Sequence, residues 1–308
     1  MRPVLLEFMK CMERERIGQF RAIIVHIDGK LWDEHFQAPR IPYNIHSVSK
    51  SFMSTAVGFA VDEGLLKLDD KVVDAFPDLL PEKVCDRLGT LTLRHLLMMS
   101  SGGVKASQTN NHLKFGHYEN TDWIEQYLRQ PFEADPGTRF WYQSGDTYMA
   151  AVMLQKKTGM TMVEYLQSRL FDPLQIETPY WAVSPAGYNI GWTGLWLKTE
   201  DMIKWAELFR NKGKWQGRQL ISPEWVADAT AKHIATDDND FNYGHEALGY
   251  GYQIWQCLDG GFRGSGLGGQ HTIALPKYNA TIAVSAYDVP KMHKVLELVW
   301  DIIVPELK

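Results

Sequence analysis

Strand-like segments lie only near the two ends of this chain, and this distribution constrains the fold more than any other feature. Residues 20–27 and 30–36 are rich in β-branched and aromatic residues, and Asp28-Gly29 between them is a favoured hairpin turn. Three more strands are predicted towards the other end, at residues 249–255, 270–275 and 281–287. Strands from both ends can pair in one antiparallel sheet, with the middle of the chain inserted between them.

The segments outside these strands show the periodicity of amphipathic helices. The pattern predicts a first helix within residues 3–17, a last helix at residues 290–303, and further helices through the middle of the chain. The predicted fold class is therefore α+β, an antiparallel sheet flanked by terminal helices plus an all-helical insertion. Residues 1–64 and 240–308 would form the sheet domain, and residues 65–239 the mainly helical domain.

Composition excludes several kinds of function. Lys and Arg number 32 against 37 Asp and Glu, a net charge of −5 with no basic run, so nucleic acid is not an expected partner. Cys11, Cys85 and Cys257 are too scattered to suggest a metal site or a disulfide framework, and residues 237–240 resemble a calcium loop but lack its Gly and Glu at the required places. No cofactor is expected. The absence of a long apolar run and of a signal-like leader predicts a cytoplasmic protein with no membrane partner.

A possible catalytic pair lies where an extended, proline-containing segment gives way to a long apolar helix pattern. Ser47 and Lys50 form the only Ser-x-x-Lys of the sequence, and a spacing of three places both side chains on one face of a helix. An amine beside a hydroxyl at a helix N-terminus can generate a serine nucleophile. Since about one such spacing is expected by chance in a chain of this length, the pair alone is only a hypothesis.

A second feature is the Pro- and Gly-bounded loop at residues 135–146, which contains Tyr142 and Ser144 in a Tyr-x-Ser pattern. A nearby ammonium lowers the pKa of a phenol towards the working range of a general base. The alternative is that Tyr142 is an aromatic packing residue in a turn. His95, in contrast, is interpreted as a packed helix residue rather than as a catalyst.

A third feature is the glycine-rich stretch at residues 264–269, which formally contains the GxGxxG of dinucleotide-binding proteins. A strand and Pro276 follow it instead of the helix whose N-terminus would hold a pyrophosphate, so we interpret the match as false. Glycines on a strand edge also let a substrate approach the backbone closely, and such an edge can offer an N–H group to an oxyanion.

In this order, the three features resemble the serine β-lactamase and penicillin-binding-protein superfamily, in its class-C-like branch. That branch includes esterases, D-aminopeptidases and 6-aminohexanoate-dimer hydrolases. The resemblance spans roughly residues 20–290 and includes further motifs. These are an RHLLxMxSG-like helix at residues 93–102, a PGTxFxYxSG-like loop at 136–145, an LFxPLG-like turn at 170–174 and a GxWxG-like turn at 213–217.

The resemblance implies a β-lactamase/transpeptidase-like fold and a role for each matching residue. Ser47 would be the acylated serine, Lys50 the motif lysine and Tyr142 the motif tyrosine, while Ser144 stands where a polar residue is usual. The third motif of the family, Lys-Thr-Gly or His-x-Gly, falls on residues 264–266.

The third motif lacks its usual cation, which helps to hold a substrate carboxylate in the family. This departure favours a neutral ester or amide over a β-lactam. Arg263 and His271 lie nearby in sequence, but alternation along strands makes neither an obvious replacement. Ser265 and Gly266 remain candidate substrate-binding residues, and the N–H groups of Ser47 and Leu267 would form the oxyanion hole.

The predicted activity is acyl transfer from a small ester or amide to water, with Lys50 and Tyr142 sharing a proton. A protein that is acylated but turns over poorly, and so acts as a sensor or binder, is the competing interpretation; a nicotinamide oxidoreductase rests on the GxGxxG match alone. Four aromatic residues are candidate pocket walls, although core packing explains each of them equally well: Tyr118, Trp181, Trp192 and Trp255. The oligomeric state is not predicted.

Overall fold

The structure is a computed structural model that describes residues 2–104, 122–177, 179–236, 248–287 and 292–307. Its helices are α1 Pro3–Arg14, α2 Ser49–Asp62, α3 Val72–Ala75, α4 Asp86–Thr90, α5 Leu93–Leu97, α6 Trp123–Arg129, α7 Ser144–Thr158, α8 Met162–Leu166, α9 Thr199–Arg210, α10 Pro223–Ala229 and α11 Met292–Leu298. Its strands are β1 Gln19–Ile27, β2 Lys30–Phe36, β3 Tyr43–Asn44, β4 Tyr180–Trp181, β5 Leu195–Leu197, β6 Lys214–Trp215, β7 Arg218–Gln219, β8 Trp255–Gln256, β9 Phe262–Gly266, β10 Gln270–Leu275 and β11 Ala280–Tyr287. Tyr118 and the calcium-like segment 237–240 lie outside the described residues.

Strands from both ends of the chain form one sheet, as predicted. Its order is β2-β1-β11-β10-β9-β8, and all of its pairs are antiparallel. The β1–β2 hairpin closes through Asp28 and Gly29, whose φ angles of 52° and 70° are those of a type I′ turn, so the prediction from the Asp-Gly pair is confirmed.

The strand predicted at residues 249–255 is wrong except at its last residue. β8 begins only at Trp255, because Gly249 and Gln253 have φ angles of 127° and 61° that interrupt an extended chain. Apolar composition indicated a strand there, but the local turns leave only isolated bridges from Tyr250 to Ile234 and to Trp255.

The terminal helices cover one face of the sheet. Leu5 and Phe8 of α1 and Val295 of α11 are fully buried in a cluster with sheet residues such as Val284. The predicted last helix is confirmed over its described part, where a π-helical turn at Val299–Ile303 continues α11. This face is a structural core, because burial of apolar side chains on both layers stabilises their association.

Helix α2 packs on the opposite face of the sheet and is buried from Ser49 to Ala60. Its Gly58 allows the close approach of α10, since a Cβ there would lie 2.3 Å from Nε1 of Trp225. Helix α9 packs beside it, and Nε1 of Trp205 donates a hydrogen bond of 2.9 Å to Oγ1 of Thr55. Because neighbours surround α2, the position of its first turn is tightly determined.

The inserted part of the chain is mainly but not wholly helical. Besides α3 to α10, it contains the β6–β7 hairpin and contributes β4 and β5 to a three-stranded sheet of order β3-β5-β4, whose β3 precedes the insertion. Helix α9, although inserted, contacts β10 and β11 of the central sheet. The division at residues 64/65 and 239/240 remains a proposal.

Candidate active site

The structure brings Ser47 and Lys50 together at the start of α2. Ser47 lies in a 3₁₀ turn, His46–Val48, that leads directly into the helix. Lys50 Nζ lies 3.1 Å from Ser47 Oγ and 3.1 Å from the carbonyl oxygen of Trp192. The three-residue spacing therefore has the geometric result that was predicted, and it places an amine in contact with a half-buried hydroxyl.

The backbone before Ser47 is held in an unusual conformation. His46 has a φ of 49°, a left-handed value that is uncommon for residues other than glycine. The side chain of Asn44 stabilises it, because Oδ1 accepts hydrogen bonds from the N–H groups of His46 at 2.9 Å and of Gly194 at 3.2 Å. Such strain at the entry to a candidate nucleophile is typical of functional sites.

Burial changes the chemistry of Lys50. Its side chain is 1% exposed, and desolvation lowers its pKa to about 7. The Ser47 hydroxyl and the Trp192 carbonyl, to which Lys50 donates, are neutral oxygens, so they do not offset the cost of burying an ammonium. A substantial share of the Lys50 side chains is therefore neutral at physiological pH and able to accept a proton.

Tyr142 lies beside this pair. Its ring centroid is 4.9 Å from Lys50 Nζ, and the ring stacks on Trp255 at 5.4 Å with an interplanar angle of 27°. The preceding residue anchors the loop, because the Trp141 N–H group donates to the carbonyl of Met99 at 2.8 Å. Ser144 follows as the first residue of α7. The Tyr-x-Ser loop and the Ser-x-x-Lys turn thus meet in space.

A buried polar network that no sequence motif indicated lies directly behind this loop. Asp146, fully buried in the first turn of α7, accepts hydrogen bonds from the hydroxyl of Tyr127 at 2.7 Å and from Nε2 of Gln143 at 2.8 Å. The N–H group of Ser101 adds a contact of 3.4 Å, and Gln143 also donates to the Ser101 hydroxyl at 2.5 Å. Burial raises the pKa of Asp146 to about 7 despite these donors. In the sequence, the only sign of this network was Asp146 itself, three residues after Gln143. Its other partners, Tyr127 and Ser101, come from distant segments.

Strand β9 runs past the nucleophile at its glycine end. A Cβ on Gly266 would lie 2.4 Å from the carbonyl oxygen of Ile45 and 3.2 Å from the amide nitrogen of Ser47. Only glycine allows the strand to approach this closely. Leu267 comes next, with an exposed side chain, and Gly268 and Gly269 continue the turn at φ angles of 80° and 82°. The backbone at Leu267 thereby follows directly on the close approach of β9 to Ser47.

Gly264 explains structurally why the third motif has no cation. A Cβ there would lie 2.8 Å from Ser51 Oγ and 3.2 Å from Cγ2 of Thr272, so the space is already filled. The Ser51 hydroxyl is itself fixed, since it donates to the carbonyl of Gln253 at 3.1 Å. A lysine or histidine at this position would require α2 and β9 to separate.

Ser265 points to the other face of β9, where it meets two buried basic side chains. Nε of Arg263 donates to Ser265 Oγ at 2.8 Å, and Nδ1 of His271 lies 3.2 Å from the same oxygen. Arg263 is 0% exposed and His271 1%. Alternation along the strand therefore separates both side chains from the face that carries Gly264, as was expected.

The remaining candidates are mostly core residues. Trp181 and Trp192 are 2% and 5% exposed, and Trp192 packs against Trp123 and Tyr148. His95 closes the capping box of α5 with Thr92. Of the proposed pocket walls that the structure describes, Trp255 contacts a candidate catalytic side chain, Tyr142, through its ring, and Trp192 contacts Lys50 through its backbone carbonyl.

Within the described ranges, no three His, Cys, Asp or Glu side chains are grouped so that they could hold a metal ion. None of the helices described there is long and apolar enough to cross a membrane. The GxGxxG match leads into strand β10, so it lacks the helix that a dinucleotide pyrophosphate would need.

Comparison with known proteins places this arrangement in a family. The family profile described as "Beta-lactamase" matches residues 22–298. The chain belongs to the β-lactamase family. Two curated relatives are a "Beta-lactamase" from Escherichia coli K12, 26% identical over 54% of this chain and 47% of that protein, and a "6-aminohexanoate-dimer hydrolase" from Paenarthrobacter ureafaciens, 25% identical over 85% of this chain and 71% of that protein. The aligned part thus covers about half of the E. coli relative.

Solved structures show the same fold. A putative 6-aminohexanoate-dimer hydrolase from Bacillus anthracis superposes with a TM-score of 0.79 at 17% identity, over 97% of this chain and 81% of the other. A putative β-lactamase from Bacteroides dorei superposes with a TM-score of 0.78 at 19% identity, over 98% of each chain. The fold of this β-lactamase-family chain is therefore β-lactamase/transpeptidase-like, as predicted.

Proposed function

We propose that this protein is a serine hydrolase that cleaves a small ester or amide through an acyl-enzyme on Ser47. The observation that carries the proposal is the contact of 3.1 Å between Ser47 Oγ and the buried amine of Lys50. Membership of the β-lactamase family supports it, and one relative is named as a hydrolase of an amide, the 6-aminohexanoate dimer.

In the proposed mechanism, the neutral amine of Lys50, coupled to Tyr142, takes the proton of Ser47 as Oγ attacks the substrate carbonyl. The negative charge that develops on the carbonyl oxygen is stabilised by the N–H groups of Ser47 and Leu267. The proton then passes to the leaving group, and a water molecule attacks the acyl-enzyme to release the acid. Lys50 Nζ lies 4.9 Å from the centroid of the Tyr142 ring, so the proposed base is the pair rather than either residue.

Substrate contacts are proposed for three further residues. Ser144 is the first residue of α7 and comes two residues after Tyr142, and a Cβ on Gly266 would lie 3.2 Å from the Ser47 amide nitrogen. For Ser265 only a backbone contact is proposed, because its side chain is held by Arg263 and His271 on the other face of the same strand. Because Gly264 leaves no room for a cation, we favour an ester or amide over a β-lactam whose carboxylate is held at the third motif.

The experiment compares wild type with Ser47→Ala, Tyr142→Phe and the exposed-serine control Ser168→Ala. Each protein is treated with a fluorophosphonate probe, digested and mapped by mass spectrometry, and is then assayed with a p-nitrophenyl ester. We expect one adduct, at Ser47, and a fall in turnover of at least about a hundredfold in Ser47→Ala and Tyr142→Phe. A wild type that carries no adduct at Ser47 would show that the nucleophile is assigned wrongly.

The same assay separates a hydrolase from a sensor. A burst of one equivalent of p-nitrophenol without steady release would indicate a protein that acylates but does not turn over. A panel of a chromogenic cephalosporin, short-chain esters and D-amino-acid amides then orders the substrate classes. We expect the cephalosporin to be the poorest of the three.

A further inference from the structure

Arg21 is a cation that the mechanism above does not use, and the backbone presents it in an irregular way. It lies at a β-bulge, because the register of β1 on β11 shifts between Phe20 and Ala22. Bulges are common beside active sites, where they redirect a side chain out of the regular alternation. Here the bulge residue is an arginine whose side chain leaves the sheet between two aromatic rings.

Those rings belong to Tyr43 and Tyr287. The guanidinium carbon of Arg21 lies 3.8 Å from the ring centroid of Tyr43 and 4.9 Å from that of Tyr287. Rings over the faces of a guanidinium hold it in one orientation, while its N–H groups point outward in the plane. We call Arg21, Tyr43 and Tyr287 the arginine cage.

Within the described part of the chain, Arg21 has no ion-pair or side-chain hydrogen-bond partner. Other arginines do: Arg40 pairs with Glu34 at 2.9 Å, and Arg169 with Glu63 at 2.6 Å. Burial lowers the pKa of Arg21, although the two tyrosines oppose this effect. Removing a guanidinium partly from water without an acid partner costs free energy, and an incoming anion would recover it.

The arginine cage lies at the same end of the sheet as the proposed oxyanion hole. Gln19 pairs with Tyr287, and Gln270 pairs with Gly266. The first residue of β1 and the last residues of β9 and β11 therefore lie at the same end of the sheet. Tyr43, the first residue of β3, lies four residues before Ser47 in the chain. The charge of Arg21 also acts on the turn that carries Ser47. The pKa of His46 in that turn is lowered first by burial and then by the positive charge of Arg21.

We propose that Arg21 binds a carboxylate of the substrate, and thereby supplies the anion recognition that Gly264 excludes from the third motif. The proposal rests on the proposed hydrolase function. It revises the expectation of a wholly neutral substrate: the part of the substrate near the third motif would be neutral, and the part at the arginine cage would carry a carboxylate. A planar carboxylate fits the in-plane N–H groups of a guanidinium in a bidentate pair, and a single cation balances a single carboxylate charge.

The test uses pairs of activated aryl esters, each pair consisting of a carboxylic acid and its methyl ester. On the acyl side these are the p-nitrophenyl half-esters of succinate, glutarate, adipate and suberate, each compared with its methyl ester. On the leaving-group side, 4-butyryloxybenzoate is compared with its methyl ester. Wild type, Arg21→Gln, Arg21→Lys and the exposed-arginine control Arg218→Gln are assayed, and the readout is the ratio of kcat/KM for acid over methyl ester.

We expect a ratio of roughly ten to a hundred for at least one pair in wild type, the usual size of a charge-assisted hydrogen-bonded pair. Arg21→Gln should bring that ratio to about one, Arg21→Lys should keep part of it, and Arg218→Gln all of it. Added salt should reduce it in wild type. Ratios of about one for every pair in wild type, or a ratio that survives in Arg21→Gln, would overturn the assignment of Arg21 while leaving the hydrolase intact.

A binding measurement keeps the test independent of turnover. Ser47→Ala, which cannot form the acyl-enzyme, is titrated with each acid and its methyl ester, and the Kd ratio is compared with that of the double variant Ser47→Ala/Arg21→Gln. A preference for the acid that Arg21→Gln removes supports the proposal, and equal affinities contradict it. If wild type shows no turnover and no Ser47 adduct, the proposed function fails, but this binding ratio still decides whether Arg21 recognises carboxylates.

Discussion

Lys50 and Asp146 are two buried ionisable groups with pKa values of about 7, reached from opposite directions. Burial is the largest cause in both, because it penalises whichever form is charged. Their surroundings differ. Asp146 accepts hydrogen bonds from three donors of a closed network, while Lys50 contacts one backbone carbonyl and the hydroxyl of Ser47.

The difference shows that a shifted pKa does not by itself mark a catalytic group. Asp146 links α6, α7 and the turn at Ser101 through these hydrogen bonds, and Gln143, one of its donors, directly follows Tyr142. Lys50 contacts an atom that could react. The two regions differ in that Lys50 contacts a potential nucleophile and Asp146 does not. The following variants test whether this contact, rather than the shifted pKa, identifies the catalytic group.

The largest effect is expected for Lys50→Met, which keeps the length of the side chain and removes the amine. We expect kcat/KM for a p-nitrophenyl ester to fall by about a thousandfold or more, because the proposed base is lost. The melting temperature should stay equal or rise, since a buried amine no longer has to be desolvated. Lys157→Met, on the exposed side of α7, is the control. Near-normal turnover in Lys50→Met would show that Lys50 is not the base and that its contact with Ser47 does not distinguish it from Asp146.

Asp146→Ala should mainly affect stability. The Tyr127 hydroxyl and the Gln143 amide would lose a buried acceptor, so we expect the free energy of unfolding to fall by about 2–4 kcal/mol in urea denaturation. Asp146→Asn, which keeps one acceptor oxygen, should lose less stability and retain kcat/KM within about tenfold. A loss of activity in Asp146→Asn as large as that in Lys50→Met would show that the carboxyl group takes part in the chemistry.

Gly264→Ala extends the comparison to strand β9. The added Cβ meets Ser51 Oγ at 2.8 Å, so we expect a loss of about 1–3 kcal/mol from overpacking, again by urea denaturation. Gly89→Ala is a matched control, because a Cβ there has 3.9 Å to its nearest neighbour. An alanine at position 264 that costs no stability would mean that the third motif has room for a side chain after all.

The last prediction concerns the pH dependence of activity and stability. Only the neutral amine can accept a proton, so kcat/KM should rise about tenfold per pH unit below pH 7 and level off above it. Asp146 titrates in the same range but affects stability. Its pKa is raised, so the folded protein holds the proton more tightly than the unfolded chain does. The contribution of Asp146 to the free energy of unfolding therefore falls as pH rises from about 4 to 7. Asp146→Asn should therefore keep the rising limb of activity. If that limb disappears in this variant, it belongs to Asp146 rather than to Lys50.

Much of the fold was predictable from local chemistry. Asp28-Gly29 determined the first hairpin because both residues accept the positive φ angles of its turn. The strands predicted at residues 270–275 and 281–287 are β10 and β11, and the spacing of three placed Lys50 beside Ser47. The false strand at 249–254 shows the limit of this approach, since turns at Gly249 and Gln253 interrupt an apolar segment that otherwise has the composition of a strand.

The sequence by itself determined the candidates for catalysis, because Ser47, Lys50 and Tyr142 belong to motifs that extend over a few positions. Only the tertiary structure decided what surrounds them. The desolvation that lowers the pKa of Lys50, the neighbour that fills the space at Gly264, and the rings that hold Arg21 all come from segments far away in the chain. Burial and close packing are properties of the folded assembly of segments, and a local pattern does not contain them.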